Sequence, residues 1–157
     1  MQLESLTLNG YKSFGWTDQP GADDGRRVES GDVTVLVGAN GAGKSNVVSF
    51  FRMVAFMMDG ALQEYIQRAG TADALLHYGA QHTPQLTAKL TFTDAQARET
   101  YEFTLSAAAP DTLVFTNETV SYHRLAEHSV SGEPTVQRYA ESLGAVGHRE
   151  SLLPEGA

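Results

Sequence analysis

Gly38-Ala39-Asn40-Gly41-Ala42-Gly43-Lys44-Ser45 is the stretch of this chain whose residue types and spacing most plainly carry chemistry. It fits G-x-x-x-x-G-K-[ST], the Walker A pattern. Gly38, Gly41 and Gly43 let the backbone turn tightly and approach an anion with no Cβ in the way. Successive N–H groups then point inward as a nest, and the positive end of a following helix adds to their field. Lys44 brings a point charge to the β- and γ-phosphates. Ser45 offers a hydroxyl to the Mg²⁺ that bridges the same phosphates. The chemistry this predicts is the holding of a nucleoside triphosphate with Mg²⁺, ATP in the first instance.

Such a loop works only between a strand and a helix that fix its ends. Upstream, Val33, Val35, Leu36 and Val37 lie between Gly31 and Gly38. A short β-branched run of that kind predicts a buried strand. Downstream, Lys44 to Met58 reads as a helix that is apolar almost all the way round, the pattern of a helix covered on more than one side. Gly60 is its expected stop. One or two shorter helices are expected around Gly70, and Pro84 marks a change of period. Before the loop, "LESLTLNGYKSFG" predicts a strand and "GWTDQPGADDGRR" a loop. After Pro84, "QLTAKLTFT", "TYEFTLSA" and "TLVFTNETVSYHRL" alternate apolar with polar residues, which predicts antiparallel strands with one wet face. Beyond about Ala126 the sequence thins into Ser, Gly, Glu and Pro, and "AVGHRESLLPEGA" is expected to be poorly ordered.

The bulk properties set limits. At 157 residues the chain is about one domain, with 41% hydrophobic and 19% charged residues. There is no cysteine, so disulfides and thiolate metal sites are excluded. His77, His82, His123, His128 and His148 lack the close spacing of a zinc site and read as surface or loop residues. Eleven basic against nineteen acidic residues give a net charge of -8, which does not announce a nucleic-acid binder. The first residues lack the pattern of a signal peptide, and the apolar run from Val47 to Met58 is too short to span a membrane. The expected location is the cytoplasm. A guanine-binding N-K-x-D motif is absent, which disfavours a GTPase.

With its neighbours the loop narrows further. "GANGAGKSN", including Asn46, resembles the G-x-N-G-x-G-K-S-N form of the RecF/SMC-like branch of the ABC-type ATPases. "LTLNGYKSFG" resembles their opening strand and its N-F-K-S-F-like turn. "QRAGTADALLHYGA" and the strands after it are similar to bacterial AAA-type ATPases related to RecF. The resemblance covers about Gln2 to Arg124. It implies a partial ABC-ATPase-like head, an α/β P-loop NTPase with an antiparallel β subdomain. Residues 1–125 would form the nucleotide-binding lobe, and 126–157 a tail or the start of a second lobe. It also implies roles. Gly38 to Ser45 would hold the triphosphate and Mg²⁺, with Lys44 the charge nearest the reaction, Asn40 shaping the loop, and Lys12, Ser13 and Phe14 lying near the nucleotide. For Tyr11, Phe14 and Trp16, packing at the core or its rim is the alternative.

Other parts of the family's machinery are not matched. Such ATPases carry a Walker B segment, an apolar run leading straight into Asp-Glu. The nearest approach is "TLVFTNE", where Thr116 and Asn117 separate the run from Glu118; "KLTFTD" before Asp94 fails similarly. Val130-Ser131-Gly132-Glu133 mimics the L-S-G-G signature but lacks one glycine. Gln81, Gln85, Gln96 and Gln137 are all open as the Q-loop glutamine. The sequence therefore predicts an ATP–Mg²⁺-binding portion that needs a C-terminal ATPase half, or self-association, to hydrolyse ATP, with DNA conceivable in the assembly. The alternatives are a nucleotide-responsive interaction module and, below it, a P-loop kinase or GTPase.

Overall fold

A computed structural model describes residues 1–17, 27–124, 138–144 and 146–153. The strands are β1 (Gln2–Asn9), β2 (Arg27–Glu29), β3 (Gln85–Thr93), β4 (Ala97–Ala108), β5 (Thr112–Arg124) and β6 (Arg138–Ser142). They form one sheet in the order β2-β1-β3-β4-β5-β6, with every pair antiparallel. The alternation in the sequence explains this. Leu86, Ala88 and Leu90 of β3 and Tyr101, Phe103 and Leu105 of β4 turn inward, while Thr87, Lys89, Thr100 and Glu102 lie between them and stay wetter.

Three helices supply the rest of the core: α1 (Lys44–Met58), α2 (Leu62–Ala69) and α3 (Thr71–Leu75). Val47, Phe50, Met53 and Met57 are the buried residues of α1, at the spacing of one helix face. Phe50 stacks parallel on Phe103 of β4, centroids 6.3 Å apart, and meets Tyr11 edge to face at 5.6 Å. Gly60 ends α1 and Gly70 separates α2 from α3, both with left-handed backbone.

Two expectations need correction. Val33–Val37 forms no strand and pairs with nothing in the sheet. Val33, Val35 and Val37 are 85%, 75% and 89% exposed. A contiguous apolar run is stable as a strand only with neighbours on both edges and cover on both faces, and the described residues spend their strands on the antiparallel sheet. The outer side of α1 is open for the same reason: Val48, Phe51 and Met58 are exposed. The second correction concerns the tail. Part of it is built: β6 pairs with β5, and residues 146–153 pack along β5 and α2. The chance resemblance at Val130–Glu133, and Gln137 and His128, lie outside the described residues.

Candidate functional site

The loop runs exposed from Gly38 to Ala42 and passes through a half-buried Gly43 into the start of α1. Gly41 and Gly43 take φ of +87° and +89°, a region that favours glycine. At Gly43 space is short as well: a Cβ there would stand 2.7 Å from the Ser13 hydroxyl. The Gly43 carbonyl accepts from the N–H groups of Asn46 and Val47. No side chain caps α1, and its first turn holds no acidic residue. The N–H groups of Gly43, Lys44 and Ser45 find no acceptor among the described residues. They are the unsatisfied donors of a helix start, carrying its positive partial charge.

Lys44 turns back over the loop. Its ammonium donates to the carbonyls of Gly38 at 2.5 Å and Ala39 at 2.6 Å. The cation thus sits on the loop's own neutral acceptors. A phosphate would exchange those for stronger, charge-assisted contacts. Ser45 is exposed beside it. Free N–H groups, a lysine with only neutral partners and an open hydroxyl make a donor set that fits a triphosphate and a hard cation.

The structure brings the Lys12–Phe14 turn against this loop. Phe14 N–H closes a tight turn on the Tyr11 carbonyl at 2.8 Å. Lys12 has φ of +48°, its N–H donates to Leu75, and its carbonyl contacts His77 Nδ1 at 2.5 Å. The Asn46 amide donates to Ser13 Oγ at 2.8 Å, and Lys12 Nζ donates to Ser49 Oγ at 3.0 Å. Burial holds the Lys12 ammonium below the usual lysine pKa. Phe14 packs against the core's rim, and Tyr11 is fully buried within it. Burial also pushes the Tyr11 phenol well above its usual range.

Ser49 carries no role in the sequence reading, and His77 reads there only as a surface or loop residue. Ser49 had a readable signal, since it follows Asn46 by three on one helix face. His77 had none; it reaches Lys12 across 65 residues.

The acidic candidates are not delivered to the loop. Glu118 lies at an inward register position opposite Phe103 and is 1% exposed. It accepts from Tyr101 Oη at 2.6 Å, from Ser151 Oγ and from the Leu152 N–H at 3.1 Å, with His148 Nε2 at 3.7 Å. Its oxygens are committed to pinning the 146–153 segment on β5. Asp94 accepts the Gln96 and Ala97 N–H groups in the β3–β4 turn, bonds that lower its pKa. No hydrogen bond among the described residues joins Gln81, Gln85 or Gln96 to the loop. Among the described residues there is no cluster of His, Asp and Glu able to hold a metal, and no helix is long and apolar enough to cross a membrane.

A family model described as "AAA domain, putative AbiEii toxin, Type IV TA system" matches residues 33–125. The match begins at the run leading into the glycine-rich loop, closes just past β5, and spans more than half of the chain. No curated protein matches.

Proposed function

The chain belongs to this AAA-domain family, and from that premise we propose that it binds ATP with Mg²⁺ in the Gly38–Ser45 loop. Domains of this kind generally bind ATP with Mg²⁺. One observation carries the reading: the N–H groups of Gly43, Lys44 and Ser45 are free at the start of α1, and Lys44 has only the neutral carbonyls of its own loop to hold it. In this reading the loop from Gly38 through Ala39, Asn40, Gly41 and Ala42 to Gly43 wraps the β- and γ-phosphates. Lys44 neutralises them and Ser45 ligates the cation. Asn46 and the Lys12–Ser13–Phe14 turn form the wall beside them.

We read the chain as the nucleotide-binding portion of a RecF/SMC-like head, truncated or split, acting in the cytoplasm. Hydrolysis needs a carboxylate to orient water and a partner surface to close the site. Glu118 and Asp94 are both engaged elsewhere. The open Val33–Val37 run and the outer side of α1 support a further lobe, or a second copy, as what completes the head. Residues 1–125 then form the nucleotide lobe and 126–157 the passage towards that completion. The same exposed apolar residues favour a second reading, in which nucleotide binding only switches a contact with a partner.

Binding and phosphate release together test this. The expected outcome is ATP bound with Mg²⁺ and turnover near background. Absence of ATP binding contradicts the reading. Phosphate release at ~1 per second or faster, abolished by Lys44→Ala, contradicts the dependence on a completing part.

A further inference from the structure

We propose that Ser49 is a positioning residue whose hydroxyl aims the Lys12 ammonium at the triphosphate in the Gly38–Ser45 loop. This rests on the nucleotide reading above and adds the residue that sets the geometry of one wall. A serine hydroxyl has one proton to give and two lone pairs to receive. Ser49 Oγ lies 3.0 Å from the Asn46 carbonyl, 2.9 Å from Tyr11 Oη and 3.0 Å from Lys12 Nζ. The carbonyl can only accept, so Ser49 spends its proton there. Tyr11 and Lys12 must then both donate to Ser49, and its capacity is full. Tyr11 fits that role, because burial keeps its phenol protonated. The backbone of Ser49 is fixed in turn by Tyr65 Oη, which donates to its carbonyl at 2.8 Å.

Lys12 is held from every side except the one that would balance its charge. Its N–H and C=O are tied to Leu75 and His77, in a left-handed backbone that lysine rarely adopts. Its ammonium contacts the Ser49 hydroxyl and lies 5.5 Å from the Tyr11 ring centroid. Among the described residues no carboxylate pairs with it. A partly desolvated cation with only neutral neighbours is set for an anion. The next residue, Ser13, touches the loop at Gly43 and is held by Asn46, three residues before Ser49 on the same face of α1. Ser49 therefore ties the cation to the same helix whose first turn faces the phosphates.

The test is a double-mutant cycle on ATP–Mg²⁺ affinity. Ser49→Ala is expected to weaken binding about five- to tenfold, the size of one ordinary hydrogen bond. Ser49→Thr, which keeps the hydroxyl, should restore it. In a Lys12→Met background, Ser49→Ala should change affinity by less than about twofold. An equal loss in both backgrounds would mean that Ser49 only supports the fold, and no loss in either would also overturn the proposal. If wild type binds ATP, Lys44→Ala does not, and Ser49→Ala behaves as wild type, the positioning role fails while the nucleotide reading stands. If wild type binds no ATP, both fail. Acylation of the Lys12 amine, read by mass spectrometry, decides the matter should Ser49→Ala not fold. ATP is expected to shield Lys12 in wild type and in Ser49→Thr, and equal labelling with and without ATP contradicts the proposal.

Discussion

The β4–β5 hairpin and the Val33–Val37 run are both rich in residues that favour strands, yet only the hairpin is one. Its sequence alternates, so each strand needs cover on one face, and α1, α2 and α3 give it. The Val33–Val37 run is apolar on consecutive residues and needs cover on two. The described residues offer it none. β propensity becomes structure only where the rest of the chain can complete the layer it calls for.

The comparison breaks most sharply in the hairpin. Phe103→Ala removes a ring that contacts Phe50, Tyr101 and Phe115 with no solvent exposure. It is expected to cost about 3–5 kcal/mol in denaturant unfolding. A loss below about 1 kcal/mol would mean that the hairpin is not the stabilising centre.

Glu118 comes next. Glu118→Ala leaves the donors of Tyr101, Ser151 and Leu152 without their acceptor in a buried place. The expected cost is about 3 kcal/mol, and hydrogen exchange should show residues 146–153 opening first. Unchanged protection there would contradict the pinning role.

A smaller effect is set by pH. Burial raises the phenols of Tyr11 and Tyr101 above their ordinary value of 10.0. In the unfolded chain both ionise near that value, while the folded protein keeps them protonated. Their contribution is therefore whole below about pH 10 and is lost as pH rises beyond it. Urea midpoints between pH 8 and 11 should fall on the alkaline side, less steeply in Tyr101→Phe. A midpoint that rises above pH 10 would contradict this.

The smallest effect lies in the open run. Val35→Asp should change stability by no more than about 0.5 kcal/mol, because Val35 is already in water. It should also reduce self-association in light scattering at high concentration. A large destabilisation would show that the run is covered after all.

The same contrast explains what the sequence made legible. α1 was readable to its ends, because Gly43 and Gly60 bracket a helical run. So were β1 and β3 to β5, since alternation needs only one partner layer. The Val33–Val37 strand was misread, because its fate depends on neighbours and not on its own residues. Glu118 was hidden by a bulge. Leu105 pairs with Phe115 and Thr104 with Asn117, which leaves Thr116 as an extra residue. Alternation from Leu113 and Phe115 would turn Asn117 inward; the bulge turns Glu118 inward instead. The order of residues 146–153 comes from distant partners, which no local pattern shows. Glu150 caps α2 through the N–H groups of Leu62 and Gln63, 88 and 87 residues away. In the candidate site the loop could be read residue by residue, whereas the Lys12–His77 contact joins segments that no local pattern links.

Titration calorimetry of wild type and Lys44→Ala measures whether the Gly38–Ser45 loop holds ATP with Mg²⁺ through Lys44. Wild type is expected to bind ATP saturably and in a Mg²⁺-dependent way. The variant is expected to lose roughly 1.5–3 kcal/mol, the size of charge-assisted contacts to phosphate, with thermal stability unchanged because Lys44 bonds only to exposed loop carbonyls. Equal affinities for the two proteins, or no ATP binding to wild type, would contradict it.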